Sequence, residues 1–209
     1  MRQHLARLLV DRSGSTAAEF VLVLPLLLVL LLGLVDAGRF MWTCNRAEKA
    51  TQMGARFATV TDIIPAGLVG YSFAVSGNIP QGDPIPEGSF GGATCSSSTN
   101  AVTASAVTCT CTGTCPSLGT ASVTAFNNIL GRMRQFMPDI KANQVQIDYN
   151  YSGLGYAGDP NGIDVAPLVR VSLKNVTYPV SFLPFLNITL PAFAADATLE
   201  DGAGTTTPN

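Results

Sequence analysis

Four of the five cysteines lie close together in a stretch rich in Ser and Thr, and their spacing allows three kinds of chemistry. Cys95, Cys109, Cys111 and Cys115 could form two disulfides, for which three connectivities exist. The C-x-C-x₃-C spacing also offers soft ligands to a metal, and four free thiols are the remaining alternative. Cys109 and Cys111 would point to opposite faces of a strand, which disfavours a bond between them. We favour two disulfides and no metal, as is usual in an exported chain. The fifth cysteine, Cys44, stands apart.

The chain has one histidine, His4, which lies in a short basic leader and so limits the catalytic chemistry that is available. Without an imidazole in the folded part, Ser-His-Asp and Cys-His mechanisms are excluded. No H-E-x-x-H, P-loop or dinucleotide-binding motif is present. We therefore expect neither enzymatic activity nor a cofactor. Asp159, Asn161 and Asp164 suit calcium by residue type, but the EF-hand spacing and its closing Glu are missing, which favours a polar hairpin turn.

The overall balance of residues is typical of an exported protein. Charged residues make up 12% of the 209 residues, apolar residues make up 47%, and there are 20 glycines. The formal net charge is −2, so nothing in the charge pattern indicates a nucleic-acid partner.

A carboxylate, Glu19, directly precedes an uncharged apolar run over residues 20–35, which Asp36 closes. A membrane-spanning helix needs about 20 mostly apolar residues, and the run reaches that length only with residues 15–18 and 37–38 added. Glu19 must then belong to the spanning helix. A charge there costs up to about 2.5–3.5 kcal/mol at the bilayer centre, so the sequence must either require Glu19 or compensate for it.

The helical pattern continues beyond the apolar run. Small and apolar residues recur at spacings of three and four, which predicts one helix from about Ser15 to Val60, bent at Pro25 and ended before Pro65. Its second half would be an amphipathic stalk. A short anchor followed by a separate surface helix is the alternative. The predicted stripe consists of Ala37, Phe40, Cys44, Ala47, Thr51, Gly54 and Ala58.

The remainder of the chain predicts a mixture of loops, strands and one helix. Residues 61–118 are rich in turn-forming residues, with one strand predicted at Ala101–Cys109. Helical spacing over Thr120–Met137 predicts a helix that Pro138 stops. Strands are predicted at Gln144–Tyr151, which alternates strictly, at Leu168–Tyr178 and at Asn187–Leu199. The fold class that follows is α+β.

The stretch Gly14-Ser-Thr-Ala-Ala-Glu19-Phe20 resembles the processing site of type IV prepilin-like proteins. The longer sequence GSTAAEFVLVLPLLLVLLLGLVDAGR, with NRAEKATQMGARFA after it, is similar to the TadE-like pseudopilin family of tight-adherence (Flp) pili. The resemblance implies a cut between Gly14 and Ser15 by a prepilin peptidase, with Glu19 as the fifth residue of the mature chain. It also implies a pilin-like layout, in which the long helix carries a small antiparallel sheet and one packed helix.

The resemblance therefore predicts a basic leader (1–14), a transmembrane and stalk helix (15–60) and a periplasmic Cys-containing domain (61–209). It implies a single-pass protein of the bacterial inner membrane that acts as a minor pseudopilin in pilus assembly. The expected partners are the peptidase, other pilin-like subunits, the pilus assembly platform and the lipid bilayer. Glu19 would pair with the new amine at Ser15, whereas the alternative is that it snorkels to the interface. An unprocessed envelope protein with a periplasmic binding domain is the alternative function.

Overall fold

The computed structural model describes residues 13–160, 162–181 and 187–202, and side chains from residue 17 onward. Two compact units are present. The first, here called the helix unit, consists of Met1–Trp42 and Pro179–Ile188, and the second, called the sheet unit, of Thr43–Tyr178 and Thr189–Asn209. The fold is α+β, as the sequence predicted.

Helix α1 spans Ser13–Ala58 and is unbroken at Pro25. It begins and ends within two residues of the predicted bounds, so the alternative of a short anchor plus a separate helix is wrong. Beyond its end, the carbonyl of Thr59 accepts hydrogen bonds from the backbone N–H groups of Glu200 (3.0 Å) and Asp201 (2.9 Å). These bonds satisfy a carbonyl of the kind that helix ends otherwise leave without a partner.

The described residues form seven strands, and two short 3₁₀ helices lie at Ala66–Leu68 and Ala142–Gln144. The strands are β1 (Gly92–Ser96), β2 (Thr108–Cys111), β3 (Val145–Asn150), β4 (Leu168–Leu173), β5 (Thr177–Pro179), β6 (Asn187–Thr189) and β7 (Phe193–Thr198). The sheet unit is built on a five-stranded antiparallel sheet with the order β2-β1-β3-β4-β7. Strands β5 and β6 form a separate two-stranded sheet.

One face of the five-stranded sheet forms the core because alternate side chains point the same way. In β3 the alternating residues Val145, Ile147 and Tyr149 are buried, as the sequence predicted. The hydroxyl of Tyr149 accepts a hydrogen bond from the N–H of Ile64 at 3.1 Å. Burial raises the pKa of this phenol, so the side chain stays protonated and packs as a neutral part of the core.

Helix α2 spans Val123–Arg134 and lies inside the predicted range. Ser122 caps it by accepting a hydrogen bond from the N–H of Ala125 at 3.2 Å. Its apolar face is buried in the core of the sheet unit. The buried residues are Ala125, Phe126, Ile129, Leu130 and Met133.

Several predicted strand bounds were wrong for identifiable reasons. β1 was missed because glycines such as Gly91 and Gly92 are typical of turns. In the structure Gly92 lies in β1, so close to β3 that a Cβ on it would be 2.7 Å from the Tyr149 carbonyl oxygen. The glycine therefore lets the two strands approach each other closely.

The other predicted strands differ from the structure in their bounds. The strand expected at Ala101–Cys109 forms only from Thr108. The other two predicted strands are each split, one near Asn175, which has a positive φ of 56°, and one at Pro191.

Two glycines make a matched test of this packing. A Cβ at Gly54 would lie 2.7 Å from Met133 Cγ and 3.3 Å from Val171 Cγ1, whereas a Cβ at Gly131 meets nothing within 4 Å. We expect Gly54→Val to lower the free energy of unfolding by about 1–3 kcal/mol through overpacking. Gly131→Ala should raise it by roughly 0.5–1 kcal/mol. Urea unfolding of the detergent-solubilised chain measures both, and equal effects would contradict the packing described.

Candidate functional site

The first half of α1 is exposed on every side. All residues from Val21 to Leu30 are exposed, with large apolar side chains ranging from 37% exposure at Leu24 to 79% at Leu22. The best 18-residue window of this helix has a mean hydropathy of 2.8. Among the described residues it is the one helix long and apolar enough to cross a membrane. A helix that is apolar all round suits a lipid environment, because a helix on a soluble domain needs one apolar face.

The predicted processing and assembly residues lie at the start of this helix. Gly14 and Ser15 fall in its first turn, and Glu19 follows Ser15 by four residues. Positions four apart share a helix face, so Glu19 lies on the same side of α1 as residue 15, one turn further along. The side chain of Glu19 is exposed. The predicted leader lies outside the described residues up to residue 12.

The acidic residue that closes the apolar run has a partner that the sequence did not indicate. Asp36 is only 7% exposed, and its Oδ1 accepts a hydrogen bond from the N–H of Ser181 at 3.3 Å. Arg39, one turn further along, donates from Nη1 to the hydroxyl of Ser181. All three residues belong to the helix unit. Their separation of more than 140 positions explains why local patterns could not reveal the contact.

The second half of α1 packs within the sheet unit through the predicted stripe. Ala47, Thr51, Gly54 and Ala58 are all buried. These residues are small, which lets the helix lie close to its neighbours at Met133 and Val171. Ala37 is exposed, so the buried stripe is shorter than predicted.

The four clustered cysteines form two disulfides, Cys95–Cys109 and Cys111–Cys115. Cys95 and Cys109 are register partners on β1 and β2. The sequence predicted two disulfides without choosing a connectivity, and the strand register supplies the choice. Sulfurs joined in this way are not available as the thiolates that a zinc site requires. Cys44 has a free thiol.

The acidic loop considered for calcium has a structural role. Asp164 is buried, and its carboxylate accepts backbone N–H bonds from Phe73 (2.6 Å), Gly158 (2.9 Å) and Asp159 (3.0 Å). Asn161 lies outside the described residues. Three donors on one carboxylate hold two loops together, which agrees with the predicted polar turn.

A row of polar side chains crosses the outer face of the sheet. The register places Thr94, Asp148, Arg170 and Asp196 side by side on β1, β3, β4 and β7. Arg170 binds Asp196 through two hydrogen bonds, Nε to Oδ1 at 2.7 Å and Nη2 to Oδ2 at 2.9 Å. These bonds from Arg170 lower the pKa of Asp196 below its ordinary value.

Together, these features describe an α+β protein with a pilin-like layout, whose apolar N-terminal helix can serve as a membrane anchor. Residues 14–56 match the family model described as TadE-like protein. This TadE-like segment begins at Gly14 and covers about a fifth of the chain, so the resemblance deduced from the sequence is confirmed over α1. Searches of curated proteins and of solved structures returned no match to this chain.

Thiol counting tests the disulfides. The unfolded, unreduced protein should show one reactive thiol, Cys44, and the reduced protein all five. Cys44→Ser should remove the thiol that reacts before reduction and leave the four released by reduction. Three or five thiols before reduction, or zinc or iron found by elemental analysis, would contradict the presence of two disulfides.

The Arg170–Asp196 pair predicts a small acid sensitivity. Because the pKa of Asp196 is lowered in the folded state, the pair stabilises the fold above the ordinary carboxyl pKa, and this stabilisation is lost as the pH falls through the lowered value. The two side chains are 49% and 35% exposed. We therefore expect a loss of only about 0.2–1 kcal/mol relative to Asp196→Asn, measured by unfolding at neutral and acidic pH. Equal losses in both proteins would exclude the pair as the cause.

Proposed function

We propose that this protein is a minor pilin-like subunit that assists assembly of a tight-adherence (Flp, type IVc) pilus and has no catalytic activity of its own. The observation that carries this proposal is that the TadE-like segment at residues 14–56 coincides with helix α1, whose first half is apolar and exposed on every side. A TadE-like segment is typical of systems related to this pilus.

Processing is part of the proposal. A prepilin peptidase would cut between Gly14 and Ser15, remove the basic leader and leave a new amine at residue 15. That amine carries a positive charge near the membrane edge, one helical turn from Glu19. An acid and a base in low dielectric resist separation, and removing one partner of such a pair typically costs about 3–5 kcal/mol.

Glu19 would then set the axial register of neighbouring subunits. An apolar helix surface such as residues 20–35 packs almost equally well at several offsets. A single polar contact can select one offset, as buried polar residues do in coiled coils. In an assembled filament, Glu19 would pair with the amine of its own chain or of the next subunit. Other pilin-like subunits and the assembly platform are the partners that this role requires.

The proposed location is the inner membrane, crossed once, with the sheet unit in the periplasm. The two disulfides support this orientation, because such bonds persist in oxidising compartments and are rare in the cytosol. The lipid bilayer is the partner of the exposed apolar residues before assembly, and incorporation into the pilus is the step that follows.

Glu19→Ala should leave membrane insertion intact and abolish pilus assembly, because the apolar run is kept and the acid is lost. Insertion is measured by membrane fractionation and assembly by counting surface pili. Glu48→Gln is the matched control, since Glu48 is an exposed acid on the same helix, and it should assemble normally. Normal pili with Glu19→Ala would refute the register role.

The intact mass of the purified protein decides between the two functions. A mass that corresponds to residues 15–209 supports processing by the peptidase. A mass that still includes residues 1–14, in cells that make normal pili, favours an unprocessed envelope protein with a binding domain.

A further inference from the structure

The five-stranded sheet ends on one side in β7, whose outer edge is open among the described residues. Successive residues of an antiparallel strand direct their N–H and C=O groups alternately to one neighbour and to the other. Leu199, directly after β7, donates its N–H to the carbonyl of Pro167, directly before β4, at 3.0 Å. Counting back from Leu199 in steps of two, the residues that face β4 are Ala197, Ala195 and Phe193. The residues whose backbone groups face the open edge are therefore Ala194, Asp196 and Thr198, and all three are exposed.

This edge lacks the features that usually keep other strands away. Typical protection consists of lysine, proline, a bulge or a very short strand. β7 has six residues without proline or lysine, and its pairing with β4 runs through all six without a bulge. The opposite edge differs, because β2 has only four residues and both of its cysteines form disulfides. The edge of β7 is thus the side on which the sheet can accept a further strand.

The charges beside this edge indicate which kind of strand fits. Asp148, Arg170 and Asp196 lie side by side on β3, β4 and β7, so negative, positive and negative charges alternate across the outer face. The row ends at the open edge with Asp196. Its carboxylate has about four acceptor sites, of which Arg170 uses two. A residue opposite Asp196 on an added strand would have its Cβ about 4.5–5.5 Å away, where an opposite charge is favourable and a like charge is not.

A second copy of this chain fits the edge poorly through its own β7. Two antiparallel β7 strands pair all three outward-facing residues in one register. In that register, Asp196 lies opposite its counterpart in the other copy, and the two like charges oppose the contact. The charge pattern therefore favours a different, basic strand.

We propose that β7 accepts an extended segment of another protein as a sixth strand, and that this segment carries a lysine or arginine opposite Asp196. Main-chain hydrogen bonds with Ala194, Asp196 and Thr198 would supply the affinity, and the basic side chain would supply the selectivity. This interaction surface goes beyond the proposed role in pilus assembly and does not depend on it.

Amide hydrogen exchange of the whole chain in detergent, followed by NMR, tests the edge. Without a partner, the amides of Ala195 and Ala197 should exchange slowly and those of Ala194, Asp196 and Thr198 fast. The probe is the peptide Thr-Thr-Val-Lys-Val-Thr-Thr with both ends blocked. At saturation it should slow the three edge amides by about tenfold or more. No slowing at any peptide concentration would overturn the proposal.

The same peptide with glutamate in place of lysine tests the charge. The natural protein should bind the lysine peptide about fivefold more tightly than the glutamate peptide, because of the charge opposite Asp196. Asp196→Asn keeps the backbone groups of the edge and should remove most of this preference. Equal binding of both peptides by the natural protein would refute a basic partner.

A matched pair of variants tests the main-chain bonds. Ala194→Pro removes an N–H from the open edge and none from the pairing with β4, so the sheet should be kept while binding of the lysine peptide falls at least about tenfold. Ala194→Thr keeps the N–H, suits a strand and should bind normally. Equal binding by these two variants would exclude strand addition, and the peptide comparison with Asp196→Asn decides the matter if Ala194→Pro does not fold.

Two results for the protein without peptide would also contradict the inference. Slow exchange of the edge amides at every protein concentration would mean that another part of this chain covers β7. Slow exchange that appears only as the protein concentration rises would mean that the edge holds a second copy.

Discussion

The structure depends on one continuous helix that meets two different surroundings. The first half of α1 is apolar on every side, which water does not tolerate, whereas the second half shows a narrow stripe of small residues that fits a protein core. The helix surface changes from one pattern to the other between Asp36 and Ala47, where charged residues, a tryptophan and the free Cys44 are found. Hydrogen bonding within the helix satisfies the backbone in both surroundings, so no break is needed at the boundary.

The small residues of the second half have a structural reason. Ala47, Ala50, Gly54 and Ala58 bury little apolar surface each, but they bring the helix backbone close to α2 and β4 at Gly54. Larger residues on the facing elements, such as Met133 and Val171, supply the apolar area instead. The sheet unit therefore holds this half of α1 by close fit.

Periodic patterns allowed much of this fold to be predicted. Helix α1, helix α2 and strand β3 repeat their burial over many residues, and the alternation of Val145, Ile147 and Tyr149 is unambiguous. Strand β1 was missed because glycine, serine and threonine are also common in turns, and its pairing with β2 and β3 is what makes Gly92–Ser96 a strand. At the candidate site, the four-residue spacing of Ser15 and Glu19 is local, so their common helix face could be predicted from the sequence. The Asp36–Ser181 contact and the choice of disulfide partners depend on tertiary structure, which short-range spacing does not encode.

The bonds from Glu200 and Asp201 to Thr59 have a consequence for the order of events in the cell. Strand β7 completes the sheet by pairing with β4, and the residues directly after it close the end of α1. These residues follow all the other strands along the chain, so they are synthesised after them, and they are needed at both places. In the proposed orientation, the sheet unit can finish folding only after β7 and the residues directly after it have reached the periplasm. The Cys95–Cys109 link joins neighbouring strands and requires no such wait, so oxidation can precede closure of the sheet.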